Sequence, residues 1–314
     1  MATQPEALNT PLDPRALLRR TLPTVRQRYS ARDAVLYALG VGACVGEELP
    51  EWEHLPFIDG RPLRVVPTLC TVLGDPGFWM SAPDTGLDWR RLVHGEESVR
   101  WLRPIPADGE VIARHRVCHV EDRGPQRGAA FVVERTLEDA SSGEPWAVMR
   151  TTVVARGNGG YSAADATTQR LGEAAEPTLP PLPQREPDVV LVVPTDPRAP
   201  LLHRLSADPN PLHVHPAAAR AAGFERPIMH GMCTFGTLAL QVVAHFCDGE
   251  PERLMALRAR FSAPLYPGQR LRCAFWRQPE GLRFRVAVDD GGPVVLQDGW
   301  ALLRETDGLA AAPR

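Results

Sequence analysis

GMCTFGTLALQVVAHF, residues 231–246, is apolar almost all the way round a helical wheel. A helix of that pattern has to be enclosed on nearly every side. The chain that follows supplies the enclosure. Pro264-Leu-Tyr-Pro-Gly268 leads into QRLRCAFWRQ (269–278), LRFRVAVDD (282–290) and PVVLQDGWALLRE (293–305), with PEG and DDGG between them. Alternating, β-branched runs separated by such turn signals predict three antiparallel strands. A buried helix wrapped by an antiparallel sheet is an α+β arrangement.

The same pattern occurs earlier. Pro104-Ile-Pro-Ala-Asp-Gly109 leads into EVIARHRVCHVED, AAFVVERTLED and PWAVMRTTVVAR, and Gly109 and Gly268 are 159 residues apart. Two further pairs keep nearly the same offset and order. Val35–Gly40 lies against Leu201–Ser206 at 166, and Cys70-Thr-Val-Leu-Gly74 lies against Cys233-Thr-Phe-Gly236 near 163. Such offsets imply an internal duplication, hence two tandem repeats. Two sheets in one chain could join edge to edge and cover exposed strands. The first repeat spans 1–156 and the second 188–314. Residues 157–187, rich in Gly, Ala, Thr and Pro, read as an interdomain linker. The first repeat's counterpart of the apolar helix, PTLCTVLGDPGFWM, meets Gly74-Asp-Pro-Gly77 after two turns. Proline and glycine should stop that helix early and leave a cavity.

Composition narrows the function. The 314 residues carry a net charge of −3, so no global basic field draws the protein to nucleic acid or anionic lipid. All 35 basic residues are arginine, which excludes Schiff-base lysine chemistry and a lysine phosphate loop. The six cysteines show no CxxC spacing. With no secretory h-region and no run long enough to span a bilayer, a cytoplasmic, reducing setting is expected.

The densest polar cluster is Leu205-Ser-Ala-Asp208-Pro-Asn210-Pro-Leu-His213-Val-His215-Pro216. Asp208 and His213 form a natural acid/base pair, an aspartate orienting the imidazole. Asn210 could orient a water or cap the next helix. His230-Gly231 sits where the buried helix begins. Its first amides have no internal partner, so the Gly231 N–H is a candidate oxyanion donor. His230 reads as a cap or a loop holder. His213-x-His215 has no third ligand at a supporting distance, so no metal is expected. His115 and His119 read as a solvated sheet face, and Arg253–Arg260 as exposed surface. Arg258 or Arg260 could alternatively meet coenzyme A phosphates.

These residues carry a resemblance. His203-Arg-Leu-Ser-Ala-Asp208-Pro-Asn210-Pro-Leu-His213, followed by GFERPIMHGMCTFG (223–236), is similar to the MaoC-like family of (R)-specific enoyl-CoA hydratases. LYALGVGA (36–43) and ARGNGGY (155–161) resemble its two-domain members. The resemblance implies a double hot-dog fold, usually dimeric, acting on an acyl-CoA substrate with no separate cofactor. It implies syn hydration of a trans-2-enoyl-CoA, with Asp208 and His213 activating the water, Asn210 holding that network and Gly231 polarising the thioester carbonyl. His203 stands where the family has tyrosine, and Ala207 where it has glycine. At the 166 offset Asp208, Asn210 and His213 fall on Gly42, Cys44 and Glu47, so one site per chain is expected, with the acyl tail in the first repeat. The alternatives are a hot-dog thioesterase and a non-catalytic acyl-CoA-binding or scaffold subunit.

Overall fold

The computed structural model describes residues 12–46, 53–206, 208–279 and 281–304. Glu47 and Ala207, singled out in the sequence, lie outside them. The helices are α1 (Pro14–Leu18), α2 (Ala31–Gly40), α3 (Pro56–Asp59), α4 (Ala199–His203), α5 (Pro216–Ala221) and α6 (Gly231–Phe246). The strands are β1 (Val25–Tyr29), β2 (Leu92–Trp101), β3 (Gly109–Asp122), β4 (Ala129–Asp139), β5 (Pro145–Ala155), β6 (Arg170–Gly172), β7 (Val189–Val193), β8 (Leu254–Phe261), β9 (Leu271–Gln278), β10 (Gly281–Val288) and β11 (Val294–Leu303).

All eleven strands among the described residues belong to one antiparallel sheet, ordered β1-β3-β4-β5-β2-β8-β11-β10-β9-β7, with β6 paired to β3. The two repeats meet at β2 and β8, in register from Glu96↔Arg260 to Arg100↔Ala256. Arg258 pins this seam. Its guanidinium, largely buried, meets Glu96 at 2.8 Å and Glu176 at 3.4 Å, and donates to the Pro177 carbonyl. The stretch 253–260 is therefore mostly a central strand, not exposed surface. Arg258 is committed to the seam, whereas Arg260, half exposed, pairs with Asp298 at the surface.

The second-repeat sheet wraps α6, most of whose residues are buried. Fully burying a large apolar side chain is worth about 1.5–3 kcal/mol, and that makes α6 the centre of the core. Helix α2 packs across it. A Cβ on Gly236 would lie 2.5 Å from Val41 Cγ1 and 2.8 Å from Tyr37 Oη, so only glycine admits the approach. The last carbonyls of a helix lack intrahelical donors. Here Cys233 Sγ reaches Gly40 O at 3.1 Å and Thr237 Oγ1 reaches Val41 O at 2.8 Å.

In the first repeat the counterpart of α6 is only a 3-10 turn, Pro67–Val72, shorter and tighter than the α-helix predicted. Arg135 reaches from β4 to its end, donating to Thr71 O and Leu73 O. The expected linker is not wholly without structure. Its β6 pairs with His119–Glu121 of β3. That pairing buries His119, whose Nδ1 meets Glu173 O, while His115 Nδ1 meets Pro23 O. The two histidines hold neighbouring chain rather than facing solvent, and a β-bulge between Val117 and His119 breaks their shared register. Among the described residues no helix is long and apolar enough to cross a membrane, and no disulfide is formed.

Candidate active site

Prolines at 209, 211 and 216 forbid a continuous helix between α4 and α5, so the chain there is held by side chains. Asn210 Oδ1 accepts from the Leu212 N–H at 3.0 Å and caps a 3-10 turn, Pro211–His213. Asp208 Oδ1 accepts from the Asn210 N–H at 2.9 Å. Asn210 is thus a cap that braces Asp208 through its backbone.

His213, buried at the end of that turn, meets the Ile228 carbonyl through Nδ1 at 2.9 Å. A carbonyl only accepts, so Nδ1 carries the proton and Nε2 keeps a lone pair. Nε2 lies 3.8 Å from Asp208 Oδ2, too far for a direct hydrogen bond. The carbonyl, not the aspartate, orients the ring. Asp208 and His213 converge instead on the space between them, where a water oxygen can touch both. Burial lowers the His213 pKa, opposed by the Ile228 carbonyl and the Asp208 charge. Its Nε2 is therefore an available base at neutral pH. Asp208 is 51% exposed, so the pair opens to solvent.

His230 stacks behind His213, ring centroids 3.7 Å apart and ring planes 28° apart. Its Nε2 donates to Asp208 O at 3.1 Å, tethering the Asp208 loop to the start of α6. As N-cap residue of α6 it makes no side-chain cap, so the loop-holding role is the one observed. His203 follows at 5.0 Å from His230, with Tyr37 beyond it at 5.9 Å. Burial pushes both His203 and His230 down to about 3. Gly231 opens α6, and its N–H has no acceptor within the helix. A Cβ there would stand 3.0 Å from the Phe261 ring.

Asp208, Asn210, His213 and Gly231 thus gather around one end of α6. Asp208, His213 and His230 each bring one potential metal-ligand atom within 4.8 Å of the others. Imidazole lone pairs lie in the ring plane, and two stacked rings do not aim at one ion, so this set does not fit a metal well. Cys118, Glu134 and Glu173 also cluster, but both carboxylates are engaged by Arg116 and Arg150.

Sequence reasoning missed a second histidine–carboxylate pair. His94 Nε2 lies 3.0 Å from Glu97 Oε2, and the His94 ring meets Phe261 edge-on at 4.6 Å. The i,i+3 spacing means nothing in a regular strand. It works here because a bulge between His94 and Glu96 returns both side chains to one face. Gly95 between them was the available signal. A cavity of about 370 Å³, lined by Pro67, Trp101, Ile105 and Leu254 among others, lies near the other end of α6. Sixteen helical residues, roughly 24 Å, separate that end from Gly231, so the cavity is not where the thioester would react.

Residues 179–292 match the MaoC like domain, and residues 27–157 match the MFE-2 hydratase 2 N-terminal domain. The chain is 34% identical over 305 residues to "Enoyl-CoA hydratase 2, peroxisomal" of Arabidopsis thaliana, covering 94% of this chain and 96% of that protein. It is 34% identical over 294 residues to "3-hydroxyacyl-thioester dehydratase Y" of Mycobacterium tuberculosis, covering 92% and 97%. A crystal structure of a MaoC-like dehydratase from Phytophthora capsici superposes with a TM-score of 0.79 at 26% identity, covering 95% of this chain and all of that one.

Proposed function

Because the chain belongs to the MaoC-like dehydratase family, in its two-domain hydratase 2 form, we propose that it adds water to a trans-2-enoyl-CoA to give the (R)-3-hydroxyacyl-CoA, and catalyses the reverse dehydration. The single observation that carries the site assignment is the 3.8 Å gap between His213 Nε2 and Asp208 Oδ2 beside the start of α6.

In this reading a water sits between the two groups. His213 Nε2 takes a proton as the water oxygen bonds to C3. The C2=C3 electrons move toward the thioester carbonyl, whose oxygen gains negative charge. The Gly231 N–H, aided by the helix dipole, meets that charge. The proton taken from water is then delivered to C2 on the same face through the Asp208/His213 pair. Water is consumed whole and no redox partner is needed. The fold supports placing the acyl tail in the first repeat, whose sheet is crossed by a six-residue turn in place of a sixteen-residue helix.

The test is loss of absorbance of the enoyl thioester across a panel of enoyl-CoAs, followed by chiral analysis of the product. Asp208→Asn and His213→Gln should each leave folded protein with rates down about a hundredfold or more. Wild-type rates in either variant would refute the assignment. Released coenzyme A thiol would indicate the thioesterase, and tight binding without turnover the binding subunit. The proposal extends to a homodimer, tested by light scattering, and to a cytoplasmic setting, which fractionation tests.

A further inference from the structure

The inner face of the second-repeat sheet, wrapped on α6, is apolar: Leu257, Ala259, Phe275, Phe284, Leu296 and Ala301 are all buried there. The inner face of the first repeat differs. Its apolar residues form two separate clusters, one continuous with α6 and the other around Leu17, Leu87 and Phe131. Between them runs a polar belt across four adjacent strands. Side chains two apart on a strand share a face. On β5 Thr151 lies between Met149 and Val153, on β4 Arg135 between Val133 and Leu137, and on β3 His115 between Ala113 and Val117. On β2 the belt is Glu97 with His94.

A belt of this kind costs stability unless its members are paired. Glu97 is 1% exposed and receives Thr151 Oγ1 at 2.8 Å and His94 Nε2 at 3.0 Å. With the carboxylate accepting, His94 Nε2 is a donor, and in the neutral imidazole Nδ1 is then the acceptor. The His94 side chain is one-third exposed, so it is not sealed into the core. It stands one aromatic ring from the Gly231 backbone, with Phe261 between them. A hydrocarbon tail running from the thioester over this face would desolvate that acceptor without replacing its hydrogen bond.

We propose that His94, held by Glu97, is a hydrogen-bonding subsite of the acyl pocket, and that the preferred acyl group carries a hydroxyl on an otherwise apolar skeleton. This rests on the hydratase reading above and names its substrate class. The experiment compares wild type with His94→Phe, which keeps a ring against Phe261 and removes both nitrogens. The substrates are trans-2-enoyl-CoAs of one chain length, either plain or with a single hydroxyl stepped along the tail. Wild type should favour one hydroxyl position. For that substrate His94→Phe should lower kcat/KM roughly ten- to a hundredfold, mainly through KM, and leave the plain chain within about twofold. His94→Gln, which can still offer an acceptor, should recover part of the loss and serves if the phenylalanine variant does not fold. Equal loss on plain and hydroxylated chains would put the contact on the coenzyme arm or in the fold and overturn the proposal, as would no loss at all. A wild-type protein that hydrates no enoyl-CoA would sink the reading beneath it, an outcome distinct from unaltered selectivity in an active enzyme.

Discussion

Mild acid should destabilise this protein through its interior histidines. His203, His230 and His54 are all nearly inaccessible, at 1%, 2% and 6% exposure. Burial, more than any neighbouring charge, pushes them down to about 3, 3 and 4. In the unfolded chain a histidine titrates near 6.5. The unfolded state therefore binds more protons below that value, and stability present at high pH is lost as pH falls through 6.5 toward the folded values. At about pH 5.5 each such histidine costs on the order of 1 kcal/mol relative to pH 8, and the three together a few kcal/mol. The depressed carboxylates, such as Asp139 near 2, give up their contribution only at lower pH, so this window isolates the imidazoles. Urea unfolding at the two pH values measures the difference. His203→Phe should remove about a third of the loss, because neither ring nitrogen of His203 has a hydrogen-bond partner in the fold. Equal unfolding free energies at both pH values would refute the reasoning, since interior neutral imidazoles cannot avoid this linkage.

Other expectations follow from close contacts. Gly231→Ala places a methyl 3.0 Å from the Phe261 ring beside the candidate oxyanion donor, so activity should fall at least about tenfold while circular dichroism is retained. Gly236→Ala drives its Cβ to 2.5 Å from Val41 and should cost about 1–3 kcal/mol in urea unfolding. Arg258→Met strips the partner from half-buried Glu96 at the seam between β2 and β8 and should cost about 2 kcal/mol, read as a lowered Tm.

The parts of the fold readable in the sequence were those with a strong period. Helix α6 begins and ends at the predicted residues because its apolar pattern, broken only at a few positions such as Gln241 and His245, extends nearly all the way round. Strands β3, β4, β5, β9, β10 and β11 fall on the alternating runs. Strands β2 and β8 were not readable. Their sequences, LVHGEESVRW and LMALRARF, are mixed because they carry the ion pair that joins the repeats and, in β2, a bulge that breaks the alternation. The short β6 has three residues and no pattern of its own. At the site, Asp208, Asn210, His213 and Gly231 stood out because proline punctuation concentrated them in short runs. The orienting role of the Ile228 carbonyl was invisible, since a backbone oxygen has no sequence signature. His94 and Glu97 were hidden by a bulge whose effect on side-chain direction appears only in three dimensions.

The β2–β8 seam binds two unequal halves into one polypeptide. Had they remained separate, identical subunits, every substitution would be stamped on both sides of the assembly at once. Covalent fusion frees one side to shorten its helix and take on polar residues while the other keeps a long helix and an apolar inner face. What the tandem chain gains is the licence for its two sides to diverge.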